Sequence, residues 1–221
     1  YAAYPDSGGR MRRHREYLRS WFRQATYHVQ TEPVSVPAPD AALVTTPVSR
    51  APRLSRAKIR DRLGLGAHQK VVLLTMGGVA HTLGFMAGLA GRTDICFLLP
   101  GNRRDLHVEG AIHHLPQHLD FYHPDLVHAS DAVVGKAGYS TLAEVYHAGI
   151  PFGYVLRERF PEAAKLGAFV ERAMSGMEIS LAKFESGAWI RRLDKLLSLP
   201  RAARPRVNGA DRIARWLEGV V

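Results

Sequence analysis

The stretch from Asp131 to Pro151 reads DAVVGKAGYSTLAEVYHAGIP, and its residue types suit the handling of an anion. Gly135, Ala137 and Gly138 are small enough to let the backbone turn and come close to a ligand. Lys136 sits among them and supplies a full positive charge. Ser140 and Thr141 stand where a helix would begin. A helix start offers free backbone N–H groups and the positive end of the helix dipole, and hydroxyls beside them complete a cradle for pyrophosphate. Glu144 lies one turn into that helix, where a carboxylate could hold a ribose hydroxyl. The same spacing, Thr141-x-x-Glu144, also fits a capping box, in which both side chains only satisfy the helix end. The chain has no GxxxxGK[ST] element, so a P-loop reading is set aside.

Other positions carry weaker signals. Gly77 and Gly78 follow an apolar run and would let a loop approach a diphosphate or an acceptor. His81 is either a phosphate donor or an exposed loop histidine. Arg157 could meet a phosphate or pair with Glu158. Pro161 and Glu162 fit the first turn of a helix, with the carboxylate near the positive dipole end. His113, His114, His118, His123 and His128 crowd one region. Pro116 and Pro124 break any common helical face there, and no HExxH or cysteine pattern accompanies them, so no metal site is expected.

Positioning these residues requires alternating strands and helices. Short apolar runs predict strands over residues 71–76, 95–99, 111–114, 131–134, 152–156 and 177–180. Caps, glycines and prolines predict helices over 55–63, 82–90, 124–130, 140–149, 161–173, 188–197 and 208–217. This order implies an α/β fold, a Rossmann-like parallel sheet with helices on both faces. Ligands of such sheets bind at the carboxyl ends of the strands. The loops at Gly77-Gly78, Pro100-Gly101-Asn102, Gly135 to Gly138 and Arg157 to Glu162 all follow strand ends, so they converge on one edge.

The chain has 221 residues and is 46% hydrophobic, enough for a core. Its net charge of +10 opens three classes of partner: nucleic acid, an anionic membrane surface or an anionic small substrate. The basic residues are spread widely. The densest group, Arg10 to Arg23, has six arginines against one glutamate. Without zinc-finger spacing, a basic heptad region or an arginine–aromatic platform, nucleic acid is not the expected partner. Residues 10–24 read as a basic helix, first as a solvated face and second as a peripheral membrane contact with lipid headgroups. No apolar run approaches the roughly 20 residues of a membrane span, and no secretory leader pattern is visible. The lone Cys96, between Ile95 and Phe97, suits a buried thiol in a reducing compartment, so a cytoplasmic location is expected. Prolines 33, 37, 39, 47 and 52 mark an extended connector. The expected division is residues 1–40, a basic helix, a strand over 25–29 and a Pro-rich linker, followed by a domain over residues 41–221.

The order Gly-Gly, then SDAVVGKAGYSTLAE, then GIP, then RERFPE resembles the C-terminal, nucleotide-sugar-binding domain of the GT-B glycosyltransferases. It is most similar to the group of the lipid-intermediate N-acetylglucosaminyltransferase of peptidoglycan synthesis and the galactolipid synthases. KAGY and the Arg157/Phe160/Glu162 spacing also resemble the glycosyltransferase-like region preceding sugar kinases such as arabinokinase. The resemblance covers residues 41–221 and implies a UDP-sugar as substrate, with no cofactor and no essential metal. It implies that Glu144 binds the ribose and that Glu162 accepts hydrogen bonds from the donor sugar. The implied reaction transfers a hexosyl group to an unidentified acceptor, with a lipid and a polyol as candidates. The catalytic base is unassigned, because the family draws it from the preceding domain. Residues 1–30, beginning at Tyr1, are then expected to be the last helix and strand of that domain. The competing functional readings are a non-catalytic nucleotide-sugar-binding module and a basic nucleic-acid-binding protein.

Overall fold

The computed structural model describes residues 10–66, 68–76, 84–116, 121–158, 160–205 and 207–220. Helix α1 (Arg10–Phe22) is followed by β1 (Val29–Thr31) and β2 (Leu43–Thr45), which pair in parallel as a small separate sheet. Then come α2 (Arg56–Arg62), β3 (Lys70–Thr75), α3 (Met86–Ala90), β4 (Ile95–Arg103), β5 (His107–Glu109) and β6 (Ile112–Pro116). The second half carries α4 (His123–Ala129), β7 (Ala132–Lys136), α5 (Tyr139–Ala148), β8 (Phe152–Val155), α6 (Ala163–Ala173) and β9 (Gly176–Glu178). It closes with α7 (Leu181–Glu185), a 3-10 turn at Ala188–Arg192, α8 (Leu193–Leu197) and α9 (Gly209–Glu218).

Seven strands form the main sheet in the order β5-β6-β4-β3-β7-β8-β9. Every neighbouring pair is parallel except β5 with β6. The central strands bury both faces, which explains their uninterrupted apolar sequences. Val71, Leu73, Cys96, Leu98 and Val133 pack toward Leu126, Leu142, Val145, Leu166 and Phe169, under α2, α4, α5 and α6. Val72, Leu74, Ile95, Phe97 and Val134 face the other way, onto Phe85, Leu89, Phe184, Trp189 and Leu193. The expected α/β architecture, with helices on both faces of a parallel sheet, is therefore what the chain adopts.

Several boundaries differ from the sequence expectation. Strand β7 does not stop at Val134 but runs through Gly135 and Lys136. Gly135 pairs with Thr75, and a Cβ on it would stand 1.8 Å from the Thr75 carbonyl oxygen. Its glycine therefore serves strand-to-strand approach, not a turn. Strand β4 continues past Pro100-Gly101, with an irregular register between Pro100 and Arg103 and Gly101 at φ +78°. Gly101 thus marks a bulge and not a strand end. The antiparallel edge strand β5 was not anticipated; its three residues are all exposed and give no alternating signal. The strand expected over 25–29 lies at Val29–Thr31 instead. Among the described residues, no helix is long and apolar enough to cross a membrane.

Candidate functional site

The carboxyl edge of the sheet is built around the passage from β7 into α5. Gly138 is the N-cap of α5, extended at φ −105°, and no side chain caps the helix. The first intrahelical bond runs from Leu142 N to the Gly138 carbonyl at 2.9 Å. The N–H groups of Tyr139, Ser140 and Thr141 precede it and point out of the helix end. The capping-box reading of Thr141 and Glu144 is thereby overturned: the helix starts earlier than Ser140, and Glu144 turns inward. Ser140 is exposed, while Thr141 and Lys136 are half-buried. The Lys136 stem folds back over the loop, its Cε 3.8 Å from where a Gly138 Cβ would stand. Ala137 is buried, and its N–H donates to the Val155 carbonyl at 2.9 Å.

Sheet register gathers the neighbouring loops. Gly135 lies opposite Thr75 on one side and Tyr154 on the other, and Lys136 lies opposite Val155. The chain therefore leaves β3, β7 and β8 at one level, with Lys136 two residues short of the level of Arg157. The Arg157 guanidinium lies 5.3 Å from the centre of the Phe160 ring. Glu162 is exposed and is the N-cap of α6, one residue before the helix and not within its first turn. Gly77, Gly78 and His81 lie outside the described residues. Tyr139 braces the helix start: its hydroxyl is 2.7 Å from both Thr31 Oγ1 and the Glu32 carbonyl oxygen.

Glu144 lies further along α5 and faces α4. It is buried at 5% exposure. Its Oε1 accepts from Arg50 Nη2 at 2.8 Å and Nε at 3.3 Å, and its Oε2 lies 2.5 Å from His123 Nδ1. Burial alone would raise the carboxyl's pKa. The hydrogen bond and charge of His123, and then those of Arg50, outweigh it and hold the pKa below the ordinary carboxylate value. Arg50 and Arg53 lie over the Tyr122 ring, 5.1 and 4.0 Å from its centre. The carboxylate borders a cavity of about 220 Å³ that also meets Arg50, Pro52, Pro124, His147 and Asn208. A larger open cleft of about 570 Å³ lies between Leu43 and Arg215. Among the described residues no carboxylate lines that cleft, and neither cavity is lined by Lys136 to Thr141, so the smaller one is the better candidate because it holds Glu144.

Gly135 and Lys136 at the end of β7, Ala137 and Gly138 in the connection, and Ser140 and Thr141 at the start of α5 thus follow one another along a single passage, with Arg157 and Glu162 between β8 and α6. Glu144 is on the same helix but on its α4 side. Sequence reading missed three partners of that carboxylate's surroundings, Arg50, Tyr122 and His123. Arg50 sits in what reads as linker, and His123 is one of a crowd of histidines.

A parallel sheet of this order, with an anion-ready helix start at its carboxyl edge, can be compared with known proteins. No protein-family profile matches the chain. L-arabinokinase of Arabidopsis thaliana is 29% identical over 164 residues, 74% of this chain and 16% of that protein. Among solved structures, MurG of Acinetobacter baumannii is 12% identical with a TM-score of 0.60, over 91% of this chain and 62% of its own. The glycosyltransferase SnogD from Streptomyces nogalater is 17% identical with a TM-score of 0.50, over 99% of this chain and 64% of its own. The fold is that of the GT-B glycosyltransferases. The resemblance read from the motif order, to GT-B enzymes and to the arabinokinase region, agrees with both comparisons. The chain spans about a sixth of the arabinokinase and less than two thirds of each GT-B chain just described.

Proposed function

We propose that this chain is the donor-binding part of a glycosyltransferase that takes a UDP-sugar and passes its hexosyl group to an acceptor. One observation carries the reading: a single helix, α5, bears an anion-ready N-terminus beside Lys136 and, further along, a buried, ionised carboxylate at Glu144. Tyr139 to Glu144 is five residues, roughly 7.5 Å of helix, a span that suits the diphosphate and ribose of one nucleotide. In this reading the N–H groups of residues 139–141, the Ser140 hydroxyl and Lys136 take the diphosphate. Glu144 accepts the ribose hydroxyls, and Glu162 those of the sugar. Arg157 belongs to the loop that faces the phosphates.

Transfer breaks the bond from the sugar's anomeric carbon to the diphosphate oxygen and forms one to an acceptor oxygen, whose proton passes to a base. The chain's part is electrostatic, since N–H dipoles and Lys136 stabilise the charge that grows on the departing UDP. We place the reaction in the cytoplasm, where the buried Cys96 remains a thiol. Exposed Trp21 and Phe22 among the arginines of α1 suit contact with a membrane surface that presents a lipid acceptor.

The test is calorimetric titration of the full-length protein with UDP and a panel of UDP-hexoses, followed by an assay of UDP release with lipid and polyol acceptors. UDP should bind, and Lys136→Ala should weaken it by about tenfold, the scale of one charge-assisted contact. A well-folded protein that ignores every UDP compound would sink the reading. Binding without transfer to any acceptor would leave a non-catalytic module.

A further inference from the structure

We propose that His123 is a positioning residue for Glu144, holding the carboxylate ionised and aimed so that the site distinguishes ribose from 2′-deoxyribose. The inference rests on the reading that Glu144 takes the ribose hydroxyls. The Glu144 side chain is only 3% exposed. A carboxyl so placed takes up a proton unless charged partners oppose it, and a protonated one loses acceptor capacity.

Its two partners are held differently. Arg50 comes from the irregular segment before α2, and its side chain is 57% exposed. His123 is the first residue of α4, is followed by Pro124, and its side chain is 27% exposed. Helix α4 packs on α2 and α5, so the fold fixes the imidazole while the arginine stands toward solvent. Carboxylate oxygens offer two lone-pair sites each, so Oε2 can keep His123 Nδ1 and still receive a hydroxyl.

The charged groups around the pair come from every element packed there: Arg50 and Arg53 before α2, Asp125 and His128 on α4, His147 on α5 and Arg204 near the C-terminus. Asp125 accepts from the Arg53 and Leu54 N–H groups. The ring of His147 meets the Pro47 carbonyl, and Arg204 donates to the Ala148 carbonyl.

The experiment titrates UDP and 2′-deoxy-UDP into the full-length wild type, His123→Ala and His123→Asn, with melting temperatures measured in parallel. Asparagine places an amide N–H where Nδ1 stands and does not titrate. At neutral pH His123→Ala should weaken UDP by about tenfold or more, the scale of a hydrogen bond to a charged group. It should also collapse the preference for UDP over the deoxy compound, whereas His123→Asn should keep both. Unchanged preference in His123→Ala, or equal loss of both nucleotides in both variants together with lowered melting temperatures, would overturn the role. A wild type that binds neither nucleotide sinks the donor reading itself, whereas a wild type that binds UDP beside an unaffected His123→Ala sinks only this inference.

Discussion

At the scale of single residues, Glu144 is where stability and chemistry meet. Its carboxylate has left water, and Arg50 and His123 replace the lost hydration. Glu144→Gln keeps the volume but loses the charge, and leaves the guanidinium and imidazole facing a weaker acceptor. We expect it to lower unfolding stability at neutral pH by about 1–3 kcal/mol, read from urea midpoints. The pH dependence has a definite sign. The folded pKa of Glu144 lies below its ordinary 4.5, so its contribution is complete above that value and is lost as pH falls through the folded pKa. His113 and His128 are both lowered by burial, and His128 further by Arg204 and Arg56, so their contributions fade earlier, as pH falls below 6.5. Wild-type stability should therefore decline in two stages on acidification. Glu144→Gln should flatten the second stage and leave the first, and an unchanged acid limb would remove Glu144 from this account.

At the scale of elements, β3 and β7 set the level of the loop that leads into α5. They approach closely because Gly135 has no Cβ to meet the Thr75 carbonyl. Gly135→Ala forces the strands apart or shears their register, and overpacking of this kind costs about 1–3 kcal/mol. We expect a lowered melting temperature together with weakened UDP binding, because Lys136 moves with the strand. A variant with normal stability and affinity would show that the strands adjust freely. The same residue shows how far the sequence could be read. The strand at residues 71–74 was legible because both its faces are buried, and the end of α5 because Gly149 adopts φ +64° ahead of Pro151. Gly135 was misread as a turn because its reason is an oxygen on another strand, which no local pattern reveals. Likewise Lys136, Gly138 and Ser140 were legible as a cluster because they are contiguous. Arg50 and His123 were not, since they reach Glu144 across 94 and 21 residues of sequence.

At the scale of the whole molecule, the segment that delivers Arg50 to Glu144 is held by the far end of the chain. Asn208 caps α9 by accepting from Ala210 N at 3.1 Å, and it clasps Ser49 from both sides. Its Oδ1 accepts from Ser49 N at 3.3 Å, and its Nδ2 donates to the Ser49 carbonyl at 2.6 Å. Beside it, Gly209 passes so close to residue 46 that a Cβ would stand 2.1 Å from the Thr46 carbonyl oxygen. On the other flank His147 Nε2 lies 2.8 Å from the Pro47 carbonyl oxygen. Residues 46–50 are thus pinned between α5 and α9, and the position of Arg50 depends on contacts that close only when the last helix docks. Asn208→Ala removes the cap and the clasp together, with an expected stability loss of about 1–2 kcal/mol. Because the clasp is local, the loss should be accompanied by faster amide hydrogen exchange in residues 48–51, while exchange in the buried strands β3 and β7 slows or quickens only with global stability. UDP affinity should fall less in Asn208→Ala than in His123→Ala, since the imidazole stays seated on α4 when the arginine loosens. Equal losses in the two variants would instead place the rigidity of the Glu144 site in the C-terminal clasp, and exchange unchanged at residues 48–51 would mean that α5 alone holds the segment in place.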